Sequence, residues 1–152
     1  MLNRKETKEL LASRMAMFEQ ACQQAGLKLT HQRLEIFREL ATATDHPSAE
    51  TLHRRLRQRM PTLSLDTVYR TLASLEEKGL ITRVKTGESQ ARFEAEQRQH
   101  HHLVCERCHE IIDFQWQTFD DSLLPDEILQ WGRIKSKNAI LQGLCSKCID
   151  AV

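Results

Sequence analysis

A chain of 152 residues fits one domain of ordinary size or two small ones. With 40% hydrophobic and 28% charged residues it suits a soluble globular protein, and no apolar run approaches the roughly 20 residues that a membrane-spanning helix needs. The net charge of +1 conceals a split: residues 1–92 carry 16 basic against 11 acidic side chains, whereas residues 93–152 carry 6 against 10. A basic half beside an acidic half suggests separate tasks, one of them facing polyanions.

The polar N-terminus MLNRKETKELLASRM lacks the apolar core of a signal peptide. The expected compartment is therefore the cytoplasm, where disulfides are disfavoured, and five cysteines point to metal binding. Apolar periodicity predicts a first helix over about residues 5–25, burying Leu11, Phe18, Ala21, Cys22 and Ala25 and stopping at Gly26. Thr30 is placed to cap a second helix with Leu34, Phe37, Leu40 and Ala41 as its stripe. The His-Pro-Ser break at 46–48 precedes a third, lined by Leu52, Leu56 and Met60 and ended by Pro61. Ser64 caps a fourth, in which Leu65, Val68, Leu72 and Leu75 turn inward and Gly79 supplies the stop.

After Gly79 the period changes, and LITRVKTGESQARFE predicts a β-hairpin around a Thr-Gly-Glu-Ser turn. Helices followed by a hairpin have the layout of a winged helix-turn-helix. EAEQRQ, residues 94–99, reads as a polar connection. Beyond it HLVC and EIIDF are expected strands, about residues 125–131 a short helix with Pro125 in its first turn, and NAILQGLC a last strand. The expected fold class is α+β: a winged-helix domain over 1–92, a hinge over 93–99 and a small α/β domain over 100–152.

Two C-x-x-C pairs, Cys105/Cys108 and Cys145/Cys148, match a tetrahedral zinc site. One such pair alone could be a redox dithiol, but two favour zinc, and four thiolates leave no open position, so the ion is expected to be structural. Cys22, on an apolar helix face, is expected to be core. If HHHLV is extended, His100 and His102 share a face and His101 points away. With Glu94 upstream and Asp113 downstream they form a nitrogen–oxygen set suited to ferrous iron, manganese or zinc, and foreign to an all-thiolate site. QHHHLVCERC should therefore feed two metals. The alternative is a solvated polar strand. His31 and His109 suggest no role.

On the fourth helix the outer face is expected to show Asp66, Thr67, Tyr69, Arg70 and Thr71, a mixture suited to base and phosphate contacts. Arg54, Arg55, Arg57 and Arg59 are candidate phosphate clamps or simply a solvated charge run.

LKLTHQRLEIFREL, DHPSAETLHRRL, LSLDTVYRTLASLEEKGLI, GESQARFE, HHHLVCERC and GLCSKC together resemble the ferric uptake regulator (Fur) family of metal-dependent repressors, over nearly the whole chain. The resemblance implies a winged-helix DNA-binding domain, a hinge and a dimerisation domain, in a homodimer that reads a palindromic operator. It places a regulatory ferrous or manganous ion on His46, Glu94, His100, His102 and Asp113, and a structural zinc on Cys105, Cys108, Cys145 and Cys148. DNA contacts are expected from Thr67, Tyr69, Arg70, Arg54 and Arg57. Some relatives carry a further metal site, but Gln99 and Lys137 stand where two of its histidines are expected. ARFEAEQRQ lacks the cysteine that zinc-sensing relatives bring to the hinge. Asp113 resembles the peroxide-responsive branch and Glu94 the iron-uptake branch, with peroxide sensing favoured. The rival class is a non-haem iron enzyme, since two histidines and a carboxylate also form that facial set. Nothing in the chain marks a substrate pocket for it.

Overall fold

The structure, a computed structural model, describes residues 4–151. The chain forms two compact units, Met1–Gln97 and Arg98–Val152.

The first unit contains α1 (Arg4–Gln24), α2 (His31–Thr42), α3 (Ala49–Leu56), α4 (Leu65–Glu77), β1 (Thr82–Val84) and β2 (Arg92–Glu94). Three helices begin at side-chain caps: Thr30, Ser48 and Ser64 accept the backbone N–H of Arg33, Thr51 and Thr67. Gly26 and Gly79, both at φ +72°, end α1 and α4, and the N–H groups of Leu27 and Leu80 reach back to the carbonyls of Cys22 and Leu75. These are Schellman ends, and a left-handed residue is what each requires. The core gathers Phe18, Ile36, Leu52, Leu56, Val68, Leu72 and Leu75, with the Phe18 and Phe37 rings stacked at 3.8 Å.

Met15 and Ile36 are buried although the apolar pattern did not single them out, whereas Leu11, Ala21, Ala25, Leu34 and Leu65 are only half-buried. Thr71, expected on the outer face of α4, is buried. Val68, Thr71, Leu72 and Leu75 fall at i, i+3, i+4 and i+7, one continuous face. The third helix stops at Leu56 instead of reaching Met60. Pro61 bars the residue before it from helical geometry, and residues 57–60 turn on the Leu56 carbonyl instead. Met60 still packs on the core from that turn. His53 is half-buried, with Nε2 at 2.8 Å from the Leu63 carbonyl.

Strands β1 and β2 pair antiparallel with Arg83 opposite Phe93, giving the hairpin. Its loop, residues 85–91, is longer than the expected four-residue turn. Thr86 accepts the Glu88 N–H, and the Glu88 carboxylate takes Arg92 at 3.1 Å.

The second unit holds β3 (His101–Cys105), β4 (Ile111–Phe114), α5 (Gln117–Asp120), α6 (Asp126–Trp131), β5 (Ile140–Gly143) and α7 (Ser146–Ile149). The sheet order is β4-β3-β5, with β3 antiparallel to β4 and parallel to β5. A parallel neighbour needs a crossover, and residues 115–139, carrying α5 and α6, supply it. Pro125 precedes α6 at its cap position instead of lying within the first turn. The four-residue helices α5 and α7 had no periodic signal, being about one turn each. Ile112, Leu103 and Leu141 lie side by side across the three strands and are 46%, 40% and 45% exposed.

Candidate metal centres and nucleic-acid face

Cys105 ends β3 and Cys108 follows in the turn, while Cys145 caps α7 and Cys148 lies on it. Their four Sγ atoms all lie within 4.8 Å of one another, and Cys108 Sγ is 3.8 Å from Cys145 Sγ. Sulfur atoms arranged tetrahedrally about 2.3 Å from one ion lie about 3.8 Å apart, so the cluster has the dimensions of a zinc site. No pair is oxidised to a disulfide. His109, whose φ of +61° marks a left-handed turn residue, returns its N–H to the Cys105 carbonyl and closes the knuckle. Sequence gave His109 no role; the position after a C-x-x-C turn was the available clue.

The backbone N–H groups of Cys108 and Cys145 pull the Cys105 thiol down to about 6, while hydrogen bonding to Cys145 and loss of solvation push Cys148 up to about 12. One thiolate is thus ready, and Cys108 and Cys148 resist ionising beside it. A divalent cation removes that conflict. Arg107 Nη1 donates to the carbonyls of Cys148 and Ala151, and Lys147 pairs with Glu110 at 3.3 Å, fastening α7 to the knuckle.

In the first unit His46 Nε2 lies 3.1 Å from Glu94 Oε2, with both side chains buried. His46 has φ +51°, an unfavourable conformation for a non-glycine residue. Strand β2 holds it there. Arg92 donates to the carbonyls of Asp45 and His46, and the Phe93 N–H donates to the Pro47 carbonyl. Glu94 is the next residue along the same strand.

In the second unit, His100 and His102 share a face as alternation predicts, with Nε2 atoms 3.1 Å apart. Asp113, paired with His102 across β3 and β4, brings Oδ1 to 3.3 Å from His102 Nε2 and 3.8 Å from His100 Nε2. Two imidazole nitrogens each about 2.1 Å from one ion at right angles would lie about 3.0 Å apart, so the three donors fit a common ion. His100 Nδ1 lies 2.6 Å from the Arg98 carbonyl. A proton on Nδ1 satisfies that carbonyl and leaves the Nε2 lone pair to a metal.

His101 points to the opposite face and is fully buried among Phe114, Trp116 and Phe119. Its Nδ1 accepts the Ala139 N–H at 3.0 Å, so Nε2 carries the proton and donates it to Asp120 Oδ1 at 3.0 Å. Gln99 donates to the same Asp120 oxygen and to the Lys137 carbonyl, and the Lys137 ammonium is held by Ser122. This neighbourhood does not fit an ion. One imidazole nitrogen is committed to backbone, and an ammonium stands nearby.

On α4, Tyr69 and Arg70 are exposed and Thr67 half-buried. Arg70 reaches Asp66 at 2.6 Å, with four-fifths of its side chain still open to solvent. Arg55 pairs with Asp45, and Arg59 with Glu35 and Glu39. Arg54 and Arg57 are exposed and make no ion pair among the described residues. No helix of the described residues is long and apolar enough to cross a membrane.

Residues 24–138 match the model of the ferric uptake regulator family. Over 127 residues the chain is 28% identical to the peroxide-responsive repressor PerR of Staphylococcus aureus, covering 84% of this chain and 86% of that one. Its structure is similar to that of the ferric uptake regulator of Helicobacter pylori, described as revealing three functional metal-binding sites. The TM-score is 0.77 at 26% identity, over 93% of this chain and 95% of that one. It is also similar to the ferric uptake regulator of Pseudomonas aeruginosa with manganese, with a TM-score of 0.69 at 27% identity over 84% and 97% of the two chains. A family match over most of the chain, on a helical unit with a hairpin and a sheet unit bearing four clustered thiols, leaves one conclusion: the protein belongs to the ferric uptake regulator family.

Proposed function

We propose that this protein is a metal-dependent transcriptional repressor that binds operator DNA as a homodimer and responds to peroxide through a ferrous ion. The observation that carries this is the division of hard donors between the units, His46 with Glu94 in one and His100, His102 and Asp113 in the other. One ion that recruits both sets ties the winged-helix domain, over residues 1–92, to the domain over 100–152 through the hinge at 93–99. Its occupancy then selects among domain arrangements, and a dimer presents its two recognition helices at operator spacing in only some of them. Manganese suits the same donors.

The operator-facing groups are Thr67, Tyr69 and Arg70 on α4, with Arg54 and Arg57 as phosphate contacts. Dimerisation is supported by the uncovered row of Ile112, Leu103 and Leu141, which a second copy can bury. Two-fold symmetry in the protein implies a palindromic operator. Five unoxidised thiols accord with a reducing cytoplasm. The absence of thiolate among the regulatory donors favours a regulator of iron or manganese over a zinc-uptake regulator. A substrate cleft beside the donors would be needed for a non-haem iron enzyme, and the family is one of regulators.

Peroxide sensing is supported by the likeness to a peroxide-responsive repressor and by Asp113. Ferrous iron, if held by these donors, would supply redox chemistry that cleaves hydrogen peroxide, giving up one electron and regaining it as the neighbouring imidazole is oxidised. In net terms one oxygen atom enters a ring carbon, the ring loses two electrons, and the second oxygen leaves as water. An oxidised ring is a poorer ligand, so the units separate and DNA is released. The second reading, an iron-uptake repressor, is favoured by Glu94 and by the likeness to ferric uptake regulators. Gel shifts on native promoter DNA with ferrous iron or manganese, with and without low peroxide, decide between them. Peroxide sensing predicts loss of the iron-dependent shift together with one added oxygen on a peptide containing His46 or His100, and neither change with manganese. Unmodified histidines with retained DNA binding assign the iron-uptake role.

A further inference from the structure

Glu50 is an acidic side chain on a surface that, under the proposed function, faces phosphate. A carboxylate there weakens binding to a polyanion unless it does something else. Both of its oxygens are engaged. Oε1 accepts the hydroxyl of Tyr69 on α4, and Oε2 accepts Gln90 Nε2 from the hairpin loop at 2.8 Å. Glu50 itself sits in the first turn of α3, two residues after the Ser48 cap. One side chain therefore joins three elements of the first unit: α3, the candidate recognition helix and the wing. Around it lies a cleft of about 700 Å³, lined also by Arg70, Arg83 and Phe93.

Tyr69 is 44% exposed, yet it is held at both ends, by its helix and by its hydroxyl. A ring fixed before binding loses less rotamer freedom on meeting a base pair than one that swings freely. The same segment continues to His46, only four residues before Glu50. There Arg92 and Phe93 pin it to β2. The wing is thus attached to residues 45–50 at two places.

We propose that Glu50 is a positioning residue for operator recognition, fixing Tyr69 and the Gln90 loop as one reading surface. This rests on DNA reading by α4 and the wing, and the test separates the two claims. Manganese-loaded full-length protein is first used to enrich duplexes from a random-sequence library. Affinity is then measured for the most enriched duplex and for a scrambled duplex of equal length. The ratio of the two is the readout, because a change of net charge alters both affinities alike and cancels.

Glu50→Ala and Tyr69→Phe remove the same hydrogen bond from opposite sides, so a folding defect in one leaves the other to report. Each should lower the ratio about tenfold, and the double variant should fall no further. Glu50→Gln keeps an acceptor for Tyr69 and should retain most of the ratio. Arg70→Ala, a separate contact, should add to Glu50→Ala. An unchanged ratio in Glu50→Ala, or full additivity between Glu50→Ala and Tyr69→Phe, overturns the assignment while leaving DNA reading intact. Failure of the unaltered protein to enrich any duplex overturns DNA reading, and the role of Glu50 with it.

Discussion

His101 and Asp120 form a buried hydrogen bond of 3.0 Å, with the imidazole fully enclosed and its other nitrogen bound to the Ala139 N–H. The bond joins the sheet to α5 and to the approach of β5. Asp120→Ala leaves a buried N–H without its partner, which costs about 1–3 kcal/mol. Thermal unfolding followed by circular dichroism should show a lower Tm for Asp120→Ala, while zinc content stays at its original level. An unchanged Tm would mean that solvent replaces the carboxylate without loss.

The four-cysteine cluster should behave as one unit. Cys148→Ser or Cys105→Ser removes one of four ligands and, with it, the cation that lets the remaining thiols ionise together. Metal analysis should find zinc lost, and size-exclusion chromatography should find the dimer lost with it. A Cys148→Ser dimer with a full complement of zinc would remove that residue from the site.

Arg54 and Arg57, exposed and outside any ion pair among the described residues, should report on the phosphate backbone. Replacing either with Ala should weaken binding to all duplexes alike and lower the slope of log affinity against log salt by about 1. Arg70→Ala should instead cost about 1–3 kcal/mol of preference for the operator. Identical salt slopes in the unaltered protein and both α3-end variants would clear those arginines of a phosphate role.

Acid should act on the loop that carries His46. The Arg55 guanidinium holds the Asp45 carboxyl below its ordinary value of 3.8. A depressed folded pKa gives a contribution present above the unfolded value and lost as pH falls through the lower, folded one. Asp45 is half exposed, so the contribution is small. Denaturant midpoints measured from pH about 5 down to about 2 should fall more steeply for the unaltered protein than for Asp45→Asn. Parallel curves would show that Asp45 does not contribute to the acid limb.

Much of the molecule is legible in the sequence because its signals are local. Helix caps at Thr30, Ser48 and Ser64, glycine stops at Gly26 and Gly79, and the C-x-x-C spacing each act within a few residues. Alternation along HHHLV is likewise local, and it correctly separates His101 from His100 and His102. The tertiary structure decided what depends on partners distant in the chain. Thr71 turned inward because the packed face of α4 is wider than its apolar residues alone suggest. Arg55 and Arg59 acquired ion-pair partners because carboxylates from the turn at Asp45 and from α2 lie against them. His101 acquired a structural role only when α5 brought Asp120 against it, 19 residues along the chain. Glu50 shows why such roles escape a linear reading. Its two partners lie 19 and 40 residues away, on a helix and a loop that meet it only once the first unit has packed.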